Sequence, residues 1–451
     1  MYRIEIIPLT TQTKPDKTSV YQLKLLYLMT FKTIMMKNYW HRLLAILLLC
    51  IFNVTAYGQT SHNSKDVTAG FSEIRLNRYV DFLNREINEG RLPGAVSFIY
   101  RNGQVVHKAA LGYSSLEAKK SMQTDDIFHI MSMTKPIVSA AFLMLYEEGH
   151  FLLTDPVSKY LPKFKDIRVS TDVNEGKDGP TEPLKSEITI HQLLTHTAGF
   201  SHGLGGTTLD NEIAQALYFE PQASLESRVN TLAGLPLIGQ PGEQWYYSAS
   251  PDVLALLIEH FSGITTSEFL QIRLFDPLEM KDTGYNIPTN DQDRWVPVHN
   301  IDEEGKLVNS EKQLPTKGNM VYGGTHGLFS TVDDYMKFCQ MILNGGSANG
   351  KRFLSPKTIE LMTMNQVGKL FDESSPGQGF GLGFGITTDV AKSKVLGSEG
   401  QYYWSGAYCT YFFIDPKEDL VAILLTQVQP YSNYYSIKLR QFVYQALVDK
   451  N

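Results

Sequence analysis

The sequence predicts an α+β fold, in which helices flank an antiparallel sheet and a mostly helical insertion occupies the middle of the chain. Two observations carry this prediction. Strand patterns lie at 95–100 and 104–110, and again at 406–415 and 419–427, whereas helical patterns are common in 150–320. The strands do not alternate regularly with helices, as they would in a parallel sheet built from βαβ units. We therefore expect strands from both ends of the chain to form one sheet.

Each predicted element has a local signal. The segment 66–88 has the apolar spacing of an amphipathic helix. The tripeptide 101–103, Arg-Asn-Gly, separates two strand patterns and is a strong hairpin signal. Pro136 and Gly149 delimit a helix that is almost entirely apolar, which indicates a buried helix. Further helices are predicted at 190–195, 251–261 and 431–448.

The N-terminal segment differs in character from the rest of the chain. Basic residues such as Lys37 and Arg42 precede an apolar stretch at 43–54, and small residues follow it. This order is typical of a secretory signal peptide, with cleavage predicted before Gln59. Residues 1–58 are therefore interpreted as an over-extended start plus a secretory signal peptide. This interpretation predicts an exported protein, either periplasmic or secreted.

Residues 59–451 are predicted to form a single domain of ordinary globular composition. The leader carries seven basic and two acidic residues, so its removal changes the formal net charge from −6 to −11. An acidic exported protein is a poor candidate for binding nucleic acid, and we expect no stable membrane span after the leader is removed. Cys339 and Cys409 remain, and their pairing is left open. No Cys/His cluster has metal-ligand spacing, so no metal or cofactor is predicted.

Ser132-Met133-Thr134-Lys135 is the only Ser-x-x-Lys sequence in the chain. It lies at the predicted start of the buried helix, and residues three apart share one face of a helix. The Ser132 hydroxyl and the Lys135 amine can therefore meet. A serine hydroxyl becomes a nucleophile when a base takes its proton, and lysine can be that base only when it is partly neutral. The motif predicts an acyl-enzyme hydrolase, with a helix-capping serine and a surface lysine as the alternative.

Four further motifs accompany this one. They lie at 193–199 (Leu-Leu-Thr-His-Thr-Ala-Gly), 241–248 (ending Trp-Tyr-Tyr-Ser), 323–334 (beginning Gly-Gly-Thr-His-Gly) and 404–406 (Trp-Ser-Gly). Together the motifs resemble the serine β-lactamase-like superfamily, in the group of class C β-lactamases, D-alanyl-D-alanine carboxypeptidases and esterases. The resemblance covers about 71–447 and implies a β-lactamase/transpeptidase-like fold.

The resemblance implies roles for individual residues. Ser132 would be the nucleophile, Lys135 its partner, and Tyr247 a second base that later donates a proton. Tyr247 could act as a base near neutral pH only with a lowered pKa or with a proton shared with Lys135, and which of the two is the base stays open. The backbone N–H groups of Ser132 and Ala407 would form the oxyanion hole.

Two departures from the family pattern bear on the substrate. Trp404 replaces the usual cation of the third motif, and Ala249 replaces the Asn of Tyr-x-Asn. A cation can hold the carboxylate of a β-lactam or a peptide, which an indole cannot do. Strand packing is the alternative interpretation of Trp404. Ser405, Gly406 and His326 complete the predicted substrate-binding residues, with a structural histidine as the competing interpretation of His326.

These observations predict an exported carboxylesterase of the esterase-type branch, acting on a small-molecule ester or acyl substrate. One alternative is a D-alanyl-D-alanine carboxypeptidase or β-lactamase-type hydrolase, whose partner would be cell-wall peptide. Another, of a different class, is a non-catalytic binding or sensor module. Transfer of the acyl group to an alcohol instead of water is a variant of the first prediction.

Overall fold

Eight antiparallel strands form the central sheet in a computed structural model that describes residues 67–449. The strands within these residues are β1 (Val67–Thr68), β2 (Phe71–Ser72), β3 (Gly94–Arg101), β4 (Gln104–Ser115), β5 (Lys120–Ser121), β6 (Phe128–His129), β7 (Arg168–Ser170), β8 (Thr181–Pro183), β9 (His299–Ile301), β10 (Leu307–Asn309), β11 (Phe329–Ser330), β12 (Ser347–Ala348), β13 (Lys351–Arg352), β14 (Gln378–Phe380), β15 (Gly385–Thr387), β16 (Tyr402–Gly406), β17 (Thr410–Asp415), β18 (Leu420–Leu425) and β19 (Val428–Gln429). The central sheet runs in the order β14-β15-β16-β17-β18-β3-β4-β5. The predicted α+β class and its antiparallel sheet are confirmed.

Strands from the two ends of the chain meet in this sheet. β18 pairs with β3, with Ala422 opposite Ile99. β3 and β4 form the predicted hairpin, whose turn holds Asn102 and Gly103 at φ values of 49° and 77°. Asn and Gly tolerate this left-handed conformation better than other residues do, which explains the strong sequence signal.

Helices cover both faces of the sheet. Those within the described residues are α1 (Glu73–Asn88), α2 (Thr134–Glu147), α3 (Ile190–Leu194), α4 (Thr208–Ala214), α5 (Leu225–Ala233), α6 (Ser250–Ser262), α7 (Thr266–Leu270), α8 (Asp276–Leu278), α9 (Val332–Leu343), α10 (Pro356–Met362), α11 (Val390–Ser393) and α12 (Tyr434–Ala446). The terminal helices α1 and α12 pack together on one face, and α2 and α9 belong to the core on the other. The helices α3 to α8 lie in the predicted insertion, 150–320, which also contains loops and the short strands β7 to β10.

The alternation of side chains along β17 separates the two cores. Phe412 and Ile414 pack into the larger core with α2, whereas Tyr411 and Phe413 pack into the smaller core with α1 and α12. Successive side chains of a strand point to opposite faces, so a strand covered on both sides is apolar throughout. This burial places α2, and the Ser-x-x-Lys turn at its start, against the sheet.

Several predicted boundaries are wrong. β4 continues to Ser115 instead of ending at 110, and the last helix spans Tyr434–Ala446 instead of 431–448. The first helix begins at Glu73 rather than near residue 66, because the Ser72 side chain accepts the N–H of Arg75 and caps the helix there. The predicted strand 406–415 is divided: β16 ends at Gly406 and β17 begins at Thr410. The third motif therefore ends a strand of its own, next to a tight turn.

Whether Cys339 and Cys409 pair can be answered from their positions in the two cores. Cys339 in α9 is buried in the larger core and Cys409 in the smaller one, and both are free. They do not form a disulfide with each other. The predicted leader, 1–58, lies outside the described residues. Within 67–449 no single helix has the length and hydropathy of a membrane span, and one pair, α6 with the segment Thr266–Leu278, reaches them only together across an 80° bend.

Candidate active site

Ser132 lies where a short 3₁₀ turn, Met131–Met133, runs into α2. Met131 has a φ of 48°, which is uncommon for a residue with a side chain. Ser132 and Lys135 are both buried, and Lys135 is only 1% exposed. Their side chains meet as the spacing predicts, with 3.2 Å between Lys135 Nζ and Ser132 Oγ. Lys135 is therefore not the surface lysine of the alternative interpretation.

The surroundings of Lys135 control its charge. Its Nζ donates to the carbonyl oxygen of Thr325 at 2.8 Å and lies 4.4 Å from the centre of the Tyr247 ring. Burial holds the pKa of Lys135 well below its ordinary value, and the carboxylate of Asp252 opposes that shift. A lysine with a lowered pKa has the neutral amine that a general base requires.

Tyr247 lies in the loop before α6. The centre of its ring is 5.6 Å from that of Trp404 and 5.1 Å from that of His202. Burial raises the pKa of Tyr247, while the neighbouring Ser132 and Trp404 side chains oppose the rise. The phenol therefore keeps its proton at neutral pH. The lowered pKa that Tyr247 would need to act as a base is therefore not found, and a proton shared with Lys135 stays a prediction. A phenol that keeps its proton can donate it.

A glycine-rich loop brings Thr325 to Lys135. A Cβ on Gly324 would lie 2.1 Å from the carbonyl oxygen of Pro251, so only glycine allows the loop to approach α6 this closely. The backbone N–H of Thr325 donates to Asp252 Oδ1 at 2.7 Å. The N-terminal turn of α6 thus fixes the backbone group that contacts the lysine.

His326 and His202 form a ring cluster next to Tyr247. His202 stacks on the Tyr247 ring, and His326 lies 6.5 Å from His202 and 5.2 Å from Tyr218. Burial lowers the pKa of both histidines, that of His326 to about 3. The positive charge of Lys135 would add to the effect at His202, and those of Arg228 and Lys135 at His326. Both imidazoles are therefore neutral at physiological pH. The ring neighbours of His326 fit the structural interpretation as well as a place beside the substrate.

An aromatic wall, defined as Trp245, Phe371, Phe380 and Trp404, lies on another side of Tyr247. The rings of Phe380 and Trp404 meet edge to face at 5.3 Å, and those of Trp245 and Phe371 lie 4.4 Å apart. Trp404 Nε1 is buried, and no described residue accepts its N–H. Trp404 therefore packs in the wall and faces Tyr247, and its contact with a substrate stays a prediction.

The rest of the third motif brings the end of β16 against the Ser-x-x-Lys turn. A Cβ on Gly406 would lie 2.4 Å from the carbonyl oxygen of Ile130, so glycine permits this contact. Ala407 follows in the turn between β16 and β17. Ser405 Oγ lies 3.1 Å from the hydroxyl of Tyr431, a residue outside the predicted set.

Three residues of the site were missed in the sequence: Asp252, His202 and Thr325. Asp252 lies in the first turn of a helix, where a carboxylate is commonplace because it favours the helix dipole. His202 belongs to none of the sequence motifs. Thr325 contributes a backbone carbonyl, which no side-chain pattern reveals. Among residues 67–449 no group of three His, Cys, Asp or Glu side chains is arranged to hold a metal ion.

Comparison with known proteins gives consistent matches. The Beta-lactamase family matches residues 76–441. Protein Rv1367c of Mycobacterium tuberculosis is 33% identical over 364 residues, which are 77% of this chain and 88% of that protein. Esterase EstB of Burkholderia gladioli is 29% identical over 385 residues, which are 80% of this chain and 93% of EstB.

A solved structure agrees with these matches. EstCE1, described as a hydrolase with promiscuous acyltransferase activity, superposes with a TM-score of 0.71 at 25% identity, over 82% of this chain and 99% of that one. The resemblance to the serine β-lactamase-like superfamily and its esterase-type members is confirmed, and so is the predicted β-lactamase/transpeptidase-like fold.

Proposed function

The chain belongs to the Beta-lactamase family and is an esterase-like serine hydrolase, and on that premise we propose that it is an exported carboxylesterase whose acyl-enzyme forms on Ser132. One observation carries the proposal: a buried Lys135 lies 3.2 Å from the Ser132 hydroxyl, beside an aromatic wall. The pair supplies an activated nucleophile, and the wall supplies an apolar surface for an uncharged substrate.

In the acylation step, Ser132 Oγ attacks the ester carbonyl carbon and its proton passes to the neutral amine of Lys135. The carbonyl π electrons move to oxygen, and the oxyanion is held by the backbone N–H groups of Ser132 and Ala407. The intermediate then collapses, and its bond to the alcohol oxygen breaks. The leaving alkoxide takes the proton of Tyr247, which regains one from the Lys135 ammonium.

Deacylation reverses these roles with water as the nucleophile. Water attacks the acyl carbon and passes a proton through Tyr247 to Lys135. The acyl–oxygen bond to Ser132 breaks, the serine oxygen takes the proton back from the lysine, and a carboxylic acid leaves. The lowered pKa of Lys135 and the raised pKa of Tyr247 support this division into base and donor.

The proposed substrate is a neutral ester. By the resemblance, Trp404 stands where the family has a cation that can hold a substrate carboxylate, and its ring packs against Phe380 in the aromatic wall. Burial of apolar substrate surface contributes about 25 cal/mol per Å², so this wall favours an apolar acyl or alcohol group. A charged peptide terminus would lose its hydration there without gaining an ion pair.

Hydrolysis of p-nitrophenyl butyrate by residues 59–451 tests the proposal, with nitrocefin assayed in parallel. We expect ester turnover that Ser132→Ala reduces by about 10³-fold or more. The matched control is Ser139→Ala, which removes another buried hydroxyl from α2 and retains turnover. Rapid nitrocefin hydrolysis without ester turnover would favour a lactam or cell-wall peptide substrate and contradict the role given to Trp404.

A fluorophosphonate probe tests the non-catalytic alternative. We expect it to label the parent protein and to leave Ser132→Ala unlabelled, since the probe reacts with an activated serine. A parent protein that the probe does not label would favour a binding or sensor module.

Export is a separate part of the proposal, and it is supported by the signal pattern of the leader. Sequencing of the N-terminus of the protein made from the full chain in a bacterial host is expected to begin at Gln59. Recovery of the uncleaved chain from the cytoplasm would contradict export and leave the proposed chemistry untouched.

A further inference from the structure

We propose that Asp252 is a positioning residue for Lys135, to which it is connected through the backbone of Thr325. The side chain of Asp252 accepts hydrogen bonds from Thr325 and Arg228, and none from Ser132. Its carboxylate holds the segment that contacts the lysine and supplies a buried negative charge near it. The inference deepens the proposed function and rests on it for the role of Lys135 as the base.

The carboxylate is built into the fold. Asp252 lies in the first turn of α6 and is 1% exposed. Its Oδ1 accepts the backbone N–H of Thr325 at 2.7 Å, and Thr325 in turn accepts from Lys135 Nζ at 2.8 Å. A buried carboxylate that accepts a backbone N–H restrains the segment it binds. One residue, Thr325, thus connects the carboxylate to the predicted base.

The glycines before Thr325 make this connection close. A Cβ on Gly323 would lie 2.6 Å from Asp252 Oδ1, and one on Gly324 would lie 2.1 Å from the backbone of Pro251. The loop is therefore seated directly on the start of α6. A displacement of the carboxylate would move the carbonyl that Lys135 contacts.

Arg228, the cation next to Asp252, makes only a weak ion pair with it. Arg228 Nη1 lies 3.4 Å from Asp252 Oδ2, which is long for a charged hydrogen bond, and Arg228 Nε is buried without an acceptor among the described residues. Arg228 therefore does not fully neutralise the carboxylate, and the negative charge of Asp252 raises the pKa of Lys135.

The other titratable groups that act on Lys135 carry no net charge at neutral pH. They are the phenol of Tyr247, whose ring faces the amine, and the imidazoles of His196, His202 and His326, whose pKa values are lowered by burial and by the lysine itself. With these groups neutral, the negative charge of Asp252 is the one that raises the pKa of Lys135. Arg228, which lies next to Asp252, carries the opposite charge, so we expect it to act on the lysine in the opposite sense.

The test is the rate at which a fluorophosphonate labels the 59–451 protein as the pH is lowered, because this readout needs no knowledge of the natural ester. Labelling requires neutral Lys135, so its rate falls on the acid side of the profile. Asp252→Asn keeps an oxygen that can accept the Thr325 N–H but removes the charge. Arg228→Met removes the competing cation.

We expect opposite shifts of the acid midpoint. Asp252→Asn lowers the pKa of Lys135 and moves the midpoint down by on the order of one pH unit, whereas Arg228→Met moves it up. The matched control is Asp334→Asn, which neutralises a buried first-turn carboxylate of α9 that also accepts a backbone N–H, from Asp282 at 2.7 Å. It should leave the midpoint in place.

A uniform loss of rate at every pH in Asp252→Asn, with an unmoved midpoint, would reduce the residue to a structural role and overturn the inference. If Asp252→Asn does not fold, the Arg228→Met variant provides the test. An acid midpoint that stays in place or moves down in that variant would also overturn the inference. The proposed function fails independently: a parent protein that is labelled with this pH profile but hydrolyses no p-nitrophenyl ester refutes the substrate class and leaves Asp252 in its role.

Discussion

The two sides of the candidate site differ in polarity. On the side of α2, Lys135 is buried with a hydroxyl, a carbonyl and the field of Asp252 around its amine. On the side of β16, Trp404 lies among aromatic rings, and its indole N–H is buried without an accepting group among residues 67–449. One side is arranged to move a proton, and the other to exclude water and charge.

This difference explains how one fold can serve several substrates. The Ser132–Lys135 pair depends on a buried helix, two glycines and a carboxylate, so a change there alters reactivity toward every acyl donor. The aromatic wall is formed by side chains from separate segments of the chain. A change in the wall alters which acyl donor is accepted while leaving the nucleophile intact.

The largest effect is expected from the polar side. Lys135→Met keeps the length of the side chain but removes the base, and we expect kcat/KM for p-nitrophenyl butyrate to fall by about 10³-fold. Steady-state assays at neutral pH measure this loss. Lys357→Met, at an exposed position of α10, is the control and should retain activity. A loss under tenfold at Lys135 would remove the lysine from the mechanism.

Tyr247→Phe is expected to cost about 10²-fold in kcat/KM, and the loss should depend on the leaving group. A p-nitrophenolate leaves without help, whereas an alkoxide requires the proton of Tyr247. The ratio of activities on p-nitrophenyl butyrate and on an alkyl butyrate measures this dependence. Equal losses on both esters would mean that Tyr247 acts in the attack step rather than as the proton donor.

Trp404→Lys tests the apolar side by placing a cation at the start of the third motif. We expect about a tenfold fall in ester kcat/KM together with faster acylation by a penicillin, because the ammonium can pair with its carboxylate. Trp404→Phe keeps an aromatic ring and should preserve the ester preference. If the lysine variant keeps the specificity of the parent, the wall does not select the substrate.

The smallest effect on the choice of substrate is expected from the protonation of two histidines, which acts on the stability of the fold. Burial lowers the pKa of His107 to about 4 and that of His129 to about 3. The unfolded chain binds these protons near its ordinary pKa of about 6.5, so their stabilising contribution is complete above that pH and is lost as the pH falls toward the folded pKa.

We therefore expect the free energy of unfolding to fall by about 1.4 kcal/mol per pH unit for each histidine. Urea unfolding between neutral pH and about pH 5 measures the slope. His107→Gln should reduce this slope by the contribution of one bound proton. The preference of the enzyme for an ester over a lactam should not change. A slope that stays flat would show that these histidines bind protons in the folded protein.

The sequence allowed prediction where the signal is local. Three-residue spacing placed Ser132 and Lys135 on one face of a helix, and the Asn-Gly turn marked the hairpin of the sheet. Contacts between distant segments could not be read in this way. In the sequence, Asp252 looks like an ordinary residue of a first helical turn. Only the structure shows that the backbone N–H of Thr325, 73 residues away, donates to its carboxylate. The break between β16 and β17 was missed as well, and it lies beside the contact of Gly406 with Ile130, which no local pattern contains.

The most direct test of the central claim is the mass of the acyl-enzyme. The parent protein is mixed with p-nitrophenyl butyrate or, separately, with a penicillin, quenched in acid and digested. We predict one butyryl group on the peptide that contains Ser132, no adduct in Ser132→Ala, and a penicilloyl adduct that accumulates on this peptide in Trp404→Lys but not in the parent. Ester turnover without a butyryl group on Ser132, or an equal penicilloyl adduct in the parent, would contradict the division of the site into a reactive side and a selective side.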